Sequence, residues 1–201
     1  LLKTIKSKPT LEKTLEPWDE QLSEFGAQLI CQRLKVLGRL SVMAEDCFRE
    51  FAGAGQNLQI RYHSEIDISD MESIKEDFKK KLAACRKRDL QRSYTTVGPH
   101  RDDIDFFIGG KHVKQYGSQG QQRLVVLCLK LAQRNLLYAE TGEYPILLLD
   151  DVMSELDNHR RRLILEQENH QVFITTTDLK LLPKSLLTRS SLYSVKAGEL
   201  R

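Results

Sequence analysis

The sequence of 201 residues has few aromatic residues, no long apolar run and no paired cysteine motif. Phe, Trp and Tyr make up 7% of it, and no stretch approaches the roughly 20 apolar residues of a membrane-spanning helix. The four cysteines are Cys31, Cys47, Cys85 and Cys128, and no histidine stands beside them at a metal-ligand spacing. Isolated cysteines are typical of small buried side chains in a reducing compartment, which argues against a disulfide scaffold or a zinc module.

Charge is nearly balanced along the whole chain. The formal net charge is +3, with 40% hydrophobic and 29% charged residues, as in ordinary globular proteins. This balance does not by itself indicate a nucleic-acid partner, so such an argument has to come from local clusters. The chain starts at Leu1 without an initiator Met or a signal-peptide pattern, and we expect further sequence to precede it.

The first half has the pattern of a helical module. Over 18–47 the apolar residues recur at spacings of four and three, which predicts a long amphipathic helix that ends at Gly53-Ala54-Gly55. A short strand is predicted over 58–62. Ser69-Asp70-Met71-Glu72 fits a capping box for a second helix that extends to about residue 92. We assign residues 1–94 to a mainly helical lobe.

After residue 94 the pattern changes to strands that alternate with helices. The predicted elements are strands over 104–108, 112–113, 145–149, 172–175 and 192–195, and helices over 119–138 and from about residue 157. The run from Pro145 to Leu149 is continuously apolar, as in a buried parallel strand. Residues 95–201 therefore belong to the α/β fold class, and we expect a sheet that is covered on both faces.

The sharpest local feature is an apolar run that ends in two carboxylates, Asp150 and Asp151. Ligands of open α/β sheets bind at the carboxyl ends of the strands. An acid there can hold Mg²⁺ beside nucleotide phosphates, and a second acid can orient or deprotonate a water molecule. The same pattern also occurs where a strand simply ends in a turn. Ser154 and Asp157 follow closely and are good helix-capping residues.

A second feature is the segment from Tyr116 to Arg123, which opens an apolar helix. Ser118 and Gly120 at a helix start expose a hydroxyl and backbone N–H groups, and the N-terminus of a helix favours anions. The segment suits the edge of a phosphate site. It is also, on its own, simply a good helix start.

Three segments in a fixed order resemble a known family. They are Val97 to Asp103, Tyr116 to Arg123, and Leu148 to Asp157. Ser118, Gly120 and Gln121 match the ABC signature L-S-G-G-Q, with Gln119 in place of the first Gly, and the acids match the Walker B motif. Together the segments resemble the RecF family of bacterial recombination mediators, which are related to SMC-type ATPases. The resemblance implies the carboxy-terminal half of an ABC/SMC-type ATPase head with an adjoining mainly helical lobe.

The resemblance also implies roles for individual residues. Asp150 would position Mg²⁺, and Asp151 would take the place of the usual catalytic Glu. Ser118 and Gly120 would contact the γ-phosphate of ATP held by a second subunit. The other residues expected at the nucleotide or at the subunit interface are Gln121, Arg123, Ser154, Asp157 and, in place of the usual switch His, Thr177.

No G-x-x-x-x-G-K-[ST] motif occurs in the sequence. That loop and its Lys cradle the β- and γ-phosphates, so we expect this segment alone to be inactive and the P-loop to lie upstream. By resemblance, the intact parent is expected to be an ATP- and Mg²⁺-dependent dimer on double-stranded DNA or at duplex–single-strand junctions. The family also implies a nucleoid-associated protein of the bacterial cytoplasm that acts with RecR and RecO in loading a recombinase at gaps.

Basic residues cluster on the second predicted helix. They are Lys79, Lys80, Lys81, Arg86, Lys87 and Arg88. Such side chains neutralise DNA phosphates, although the interleaved acids Glu76, Asp77 and Asp89 also fit a solvated helix face. Because aromatic residues are scarce, contact with a duplex backbone is favoured over base stacking.

Two further interpretations concern the loop at His100-Arg101-Asp102-Asp103 and the chain as a whole. We expect the loop to be a structural or interface cluster whose adjacent opposite charges satisfy one another, since no nucleophile is evident nearby.

The rival to an ATPase is a non-enzymatic module that binds DNA or a protein through the basic helix and the long amphipathic helix.

Overall fold

The computed structural model describes residues 2–7, 13–53, 55–165 and 171–200, which form an α/β arrangement. Its helices are α1 (Leu2–Ser7), α2 (Glu16–Ala52), α3 (Met71–Arg92), α4 (Val113–Tyr116), α5 (Gln119–Thr141), α6 (Asn158–Leu165) and α7 (Lys184–Leu187). Its strands are β1 (Leu58–His63), β2 (Asp103–Ile108), β3 (Lys111–His112), β4 (Leu147–Asp150), β5 (Val172–Thr175), β6 (Val195–Lys196) and β7 (Glu199–Leu200). Short 3₁₀ turns cover Val152–Glu155 and Leu179–Leu181. Of the helices described, none is both long and apolar enough to cross a membrane.

The predicted long helix is confirmed as α2, which contains 37 residues. Pro17 lies in its first turn, where the missing N–H does no harm because the first N–H groups of a helix lack partners within it. The helix ends where Gly53 takes a φ of 82° and donates its N–H to the carbonyl oxygen of Arg49 at 3.2 Å. Glycine adopts a positive φ without strain, so the stop is sharp. Ala54 of the predicted stop lies outside the described residues.

Helix α3 begins with a different cap from the one predicted. Asp70 is the capping residue, and its Oδ1 accepts the N–H of Ser73 at 3.0 Å. Ser69 instead donates its N–H to Oδ1 of Asp67 at 3.0 Å. The predicted capping box of Ser69 and Glu72 is therefore wrong. A carboxylate at this position also gains from the positive end of the helix dipole, which favours Asp70 over the serine.

Strands β1, β2 and β3 form an antiparallel sheet with β2 in the centre. The register of β1 and β2 places Leu58 opposite Ile108. Gly109-Gly110 forms the turn to β3 with φ angles of 55° and 78°, which favour glycine. The predicted return strand over 112–113 is shifted by one residue, because the buried Val113 already begins α4.

Strands β4 and β5 run parallel, as predicted, and their register places Asp150 opposite Thr175. Burial alternates along β4: Leu147 and Leu149 are buried, whereas Leu148 is 72% exposed. The buried face packs in a common core with α5. The sequence predicted a sheet covered on both faces. Among the described residues, only one face of β4 is buried.

The last strand differs from the prediction over 192–195. The structure has instead a short hairpin of β6 and β7, with Val195 opposite Leu200. Its turn is Ala197-Gly198, with φ angles of 52° and 83°. The turn sets the register, so the apolar residues at 192–193 precede the strand and are exposed.

Two clusters of buried side chains form the core, and α2 contributes to both. The first includes Ile30 of α2, packed with α3 and Val97. The second includes Phe48 of α2, packed with α5 and β4. The division into residues 1–94 and 95–201 stays a prediction, and extensive contacts cross it, among them the pairing of β1 with β2 and the packing of α2 on α5.

Phe78 occupies the space between two glycines in the first cluster. It is 2% exposed. A Cβ at Gly26 would lie 2.3 Å from Cε1 of Phe78, and one at Gly98 would lie 2.7 Å from Cζ. The close packing of α2 and of the loop at Gly98 on Phe78 of α3 therefore depends on the absence of side chains at both glycines.

We predict that Gly26→Ala destabilises the protein although alanine favours helices. Overpacking against Phe78 costs about 1–3 kcal/mol, more than the roughly 1 kcal/mol gained in helix propensity. Gly38→Ala is the matched control on the same helix, because nothing lies within 4 Å of its Cβ position, and it should stabilise. Urea unfolding of the intact protein measures both changes. A midpoint for Gly26→Ala at or above that of Gly38→Ala would contradict the packing.

Candidate functional site

The two predicted acids lie at the carboxyl end of β4. Asp150 is the last residue of the strand, and Asp151 follows it in the left-handed region at a φ of 50°. Both residues are exposed. The parallel pair β4–β5 therefore presents two carboxylates at the edge where α/β sheets bind ligands.

Thr175, the last residue of β5, contacts both acids. Its hydroxyl donates to Oδ1 of Asp150 and accepts the N–H of Asp151 at 3.0 Å. Its carbonyl oxygen accepts the same N–H at 3.2 Å. The sequence interpretation missed this residue. The parallel register, which places Thr175 opposite Asp150, is the signal that could have found it.

Thr177, which the resemblance proposed for the switch position, lies two residues beyond the strand. It is exposed. The turn around it is closed by its neighbours, since the hydroxyl oxygen of Thr176 accepts the N–H of Asp178 at 3.2 Å. A role for Thr177 at the nucleotide stays a prediction.

Ser154 and Asp157 both serve local structure. The Ser154 hydroxyl donates to the carbonyl oxygen of Asp151 at 2.8 Å. Oδ1 of Asp157 accepts the N–H of Arg160 at 2.9 Å and so caps α6. The capping interpretation is thus confirmed for Asp157. Its side chain is nevertheless 58% exposed.

Ser118 and Gln121 cap α5 reciprocally. Oγ of Ser118 accepts the N–H of Gln121 at 3.2 Å, and Oε1 of Gln121 accepts the N–H of Ser118 at 2.9 Å. This capping box leaves the N–H groups of Gln119 and Gly120 without a partner inside the helix. At Gly120 an added Cβ would meet only the Ser118 Oγ, at 4.0 Å, so an anion can approach the backbone closely.

Gly117 and Gln122 hold the turn in front of Ser118. Gly117 donates its N–H to the carbonyl oxygen of Val113 at 2.9 Å, and a Cβ there would lie 2.5 Å from that oxygen. Nε2 of Gln122 donates to the carbonyl oxygens of Val113 and Gly117 at 3.3 and 3.2 Å. These contacts, which the sequence interpretation did not include, fix Ser118 relative to α4.

An open groove runs between α5 and β4. Its lining includes Gly120, Arg123 and Lys130 of α5 and Leu148 of β4. Neither Ser118 nor the acidic pair lines it. The groove therefore reaches the start of α5 at Gly120 but not the two acids of the same chain.

The donor set of the acidic edge fits Mg²⁺ in part. Mg²⁺ usually binds one or two carboxylates together with phosphate oxygens and water, and Asp150 and Asp151 can supply the carboxylates. No group of three or more His, Cys, Asp or Glu side chains suited to a metal occurs within the described part of the chain. Mg²⁺ at this edge would therefore depend on oxygens from a nucleotide.

Similar proteins of known name match most of the chain. DNA replication and repair protein RecF from Geobacillus thermodenitrificans is 39% identical over 194 residues, which cover 94% of this chain and 52% of that protein. The protein of the same name from Lactococcus lactis subsp. lactis is 44% identical over 184 residues, covering 90% and 49%. The structure of the recombination mediator protein RecF-ATPrS in the RecFOR pathway is 37% identical with a TM-score of 0.84, covering 100% of this chain and 53% of that chain. The chain belongs to the RecF family.

The match to RecF is partial in length. This chain spans about half the length of the curated relatives it matches. No protein-family model matches it. The likeness to the RecF structure extends over the whole chain, so it covers the acidic edge and the start of α5 together with the helical part.

Two cations of the basic cluster on α3 form ion pairs with acids of α2 in the same chain. Lys79 pairs with Glu20, and Arg86 pairs with Asp19, so both side chains join α3 to α2. Hydrogen bonds from Lys79 and Lys75 hold the pKa of the Glu20 carboxyl below its ordinary value. These two cations contribute to the packing of α2 on α3 and are less available to DNA phosphates.

Of the remaining cations, Lys80 and Lys87 project more freely than Lys81 and Arg88. Lys81 pairs with Asp77 at 2.7 Å and donates to the carbonyl oxygen of Glu65, and Arg88 donates to Thr96 at 2.9 Å and to Cys85 at 3.0 Å. Lys80 pairs with Glu76 at 3.6 Å. The Lys80 side chain is 75% exposed, and Lys87 is exposed. Exposed ion pairs within one helix are weak and can exchange for phosphate contacts, so the DNA role stays a prediction.

The loop His100-Arg101-Asp102-Asp103 is held by contacts with other segments. The Tyr62 hydroxyl donates to Oδ2 of Asp102, and Arg33 donates to the Tyr62 oxygen at 3.4 Å. Burial raises the pKa of Tyr62, and its hydrogen bond to Asp102 adds to that shift. The Arg101 guanidinium lies 5.2 Å from the ring centre of Tyr94. A structural role fits this network, in which Asp102 contacts Tyr62 and Arg101 contacts Tyr94.

We predict that Ser118→Ala lowers the free energy of unfolding by about 1 kcal/mol, because alanine cannot accept the N–H of Gln121. Ser118→Asn is the matched control, since Asn caps helices about as well as Ser. Urea unfolding of the intact protein gives both values. Equal losses in the two variants would mean that the cap is not what Ser118 contributes to stability.

Proposed function

We propose that this chain supplies the Mg²⁺-binding acid and the signature helix of a DNA-associated ATPase that acts in recombinational repair. The observation that carries the proposal is the exposed pair Asp150-Asp151 at the carboxyl end of the parallel strands β4 and β5. Nucleotides bind at that edge of α/β sheets. The names of the relatives, a DNA replication and repair protein and a recombination mediator protein RecF-ATPrS, support the same assignment.

The two acids have separate roles in this proposal. Mg²⁺ bound with ATP neutralises charge on the phosphoryl oxygens during transfer. Asp150 holds that cation through a carboxylate oxygen. Asp151 orients the attacking water and accepts its proton. Because aspartate is one methylene shorter than the usual glutamate, this water has to lie close to the backbone at residue 151.

A second copy of the protein completes the proposed site. The start of α5 offers the N–H groups of Gln119 and Gly120 and the hydroxyl of Ser118 to an anion. Gly120 lines the groove between α5 and β4, whereas the acidic pair of the same chain does not. We therefore assign the γ-phosphate contacts of Ser118 and Gly120 to ATP held by the partner. Gln121 acts by holding Ser118, and Arg123 supports the same interface.

DNA and the recombination proteins are the proposed partners of the dimer. ATP binding closes it as a clamp on duplex DNA or at a duplex–single-strand junction, and hydrolysis resets it. Lys80 and Lys87 are the α3 cations best suited to contact DNA phosphates, because neither is tied to α2. RecR and RecO as partners, with recombinase loading at gaps, are supported by the RecFOR pathway named with the similar structure.

A non-enzymatic binding module is the second candidate, and an exposed apolar stripe on α2 favours it. Trp18, Leu22, Phe25 and Leu29 are 54%, 44%, 64% and 45% exposed. Their spacings of four and three place them on one face of the helix. Contiguous apolar patches of this kind mark surfaces that another protein segment covers.

We predict that Asp150→Asn in the intact protein lowers ATP hydrolysis by about 100-fold or more, because the amide lacks the charge that binds Mg²⁺. Ser118→Asp keeps a good cap but places a carboxylate against the γ-phosphate, so ATP-dependent dimerisation should be lost without unfolding. Asp46→Asn, an exposed change on α2, is the control and should behave as wild type. Hydrolysis assays and sedimentation with ATP measure the effects. If Asp150→Asn hydrolyses ATP and dimerises as well as the wild type does, the non-enzymatic binding module is favoured instead.

We predict that reversing Lys80 and Lys87 to Glu weakens DNA binding and its salt dependence. Each lost phosphate contact should reduce the slope of log K against log salt by about 0.9. The two positions avoid the cations that join α3 to α2, so the fold should survive. Lys184→Glu on α7 is the control. Fluorescence anisotropy titrations at several salt concentrations measure the slope. If the slope of log K against log salt is unchanged, Lys80 and Lys87 do not contact DNA.

A further inference from the structure

One threonine hydroxyl joins both acids of the candidate site. Thr175 Oγ1 donates its single proton to Oδ1 of Asp150 and accepts the N–H of Asp151 at 3.0 Å. The carbonyl oxygen of the same residue accepts that N–H at 3.2 Å. The last residue of β4 and the residue that follows it are thus held by a single residue of β5, Asp150 through its side chain and Asp151 through its backbone N–H.

The neighbouring threonines do not duplicate these contacts. Thr176 uses its hydroxyl oxygen to accept the N–H of Asp178, which closes the turn after the strand. Thr177 is exposed beyond the strand. The parallel register places only Thr175 opposite Asp150. Of the three consecutive threonines, Thr175 is therefore the one whose hydroxyl contacts both acids.

We propose that Thr175 is a positioning residue that holds Asp150 and Asp151 in the geometry needed for Mg²⁺ binding and water activation. This inference rests on the proposed function. The hydroxyl selects one orientation of the Asp150 carboxylate through Oδ1, which leaves Oδ2 as the oxygen for the cation. Groups that orient a metal ligand through a hydrogen bond typically contribute about 10- to 100-fold to metal affinity or activity.

The contact to Asp151 acts on the backbone. Asp151 lies at a φ of 50°, a left-handed conformation that is strained for a residue with a side chain. Two acceptors from Thr175 on its N–H offset that strain and keep the residue in the conformation that follows the strand. The direction of the Asp151 side chain, and so its reach to a water molecule, follows from this backbone conformation.

The test compares Thr175→Val with Thr175→Ser in the intact protein. Valine has the shape of threonine and suits a strand but lacks the hydroxyl, whereas serine keeps it. Thr188→Val is the matched control, since that exposed hydroxyl donates only to the Ser185 carbonyl oxygen, at 3.0 Å. The measurements are the kcat and KM of ATP hydrolysis, its Mg²⁺ dependence, and hydrogen exchange of the Asp151 amide without nucleotide.

We expect Thr175→Val to lower kcat and to raise the Mg²⁺ concentration for half-maximal activity, one or both by about 10-fold or more. KM for ATP should change little, and the Asp151 amide should exchange faster. Thr175→Ser and Thr188→Val should resemble wild type in every measurement. Unchanged exchange at Asp151 in Thr175→Val, or equal loss of activity in the Ser and Val variants, would overturn the inference.

The hydrogen-exchange measurement separates this inference from the proposed function. If the wild-type protein neither binds nor hydrolyses ATP, the proposed function fails. Faster exchange at Asp151 in Thr175→Val would in that case still support Thr175 as the residue that holds the pair. If wild type hydrolyses ATP and Thr175→Val matches it in kcat and in Mg²⁺ dependence, the function stands and the positioning role fails.

Discussion

The packing of one long helix against two different sets of partners is the constraint on which the rest of the structure depends. At 1.5 Å per residue, α2 is about 55 Å long and acts as a single stiff element. Its first half packs on α3 around Ile30 and Phe78, and its second half packs on α5 around Phe48. Because α5 in turn buries Leu147 and Leu149 of β4, the position of the acidic edge is set, through two layers of packing, by α2.

Several side chains of the candidate site accept hydrogen bonds from backbone N–H groups. Ser118 caps α5, Asp157 caps α6, and Thr175 holds the N–H of Asp151. Each of these groups keeps donor or acceptor capacity beyond its structural bond, since a hydroxyl and a carboxylate have more than one site. Local structure and ligand contact are therefore not alternatives at these positions. The same bonds that close a turn also hold the contacting group in a fixed direction, which lowers the entropic cost of ligand binding.

Long periodic patterns and their stop signals were predictable from the sequence, whereas choices between neighbouring polar residues were not. Helix α2 and its end at Gly53 follow from apolar spacing and from glycine chemistry, and the parallel strand at β4 follows from its apolar run. The cap of α3 fell to Asp70 and not Ser69 because two adjacent capping residues compete and the carboxylate also gains from the dipole. Thr175 was missed because its role exists only once the register of two strands, distant in sequence, is known.

The proposed function requires a second copy of the protein, because the groove that reaches Gly120 at the start of α5 does not reach the acidic pair of the same chain. Ser118 is fixed to α4 by Gly117 and Gln122, so the turn cannot swing away from α4 without losing three hydrogen bonds. In the proposed dimer, the anion site of one copy and the acidic edge of the other contact the same nucleotide. In such an arrangement the nucleotide itself becomes part of the interface, and its hydrolysis removes the contact that joins the two bodies. In the proposed dimer, the fixed turn before Ser118 would couple assembly to the state of the nucleotide.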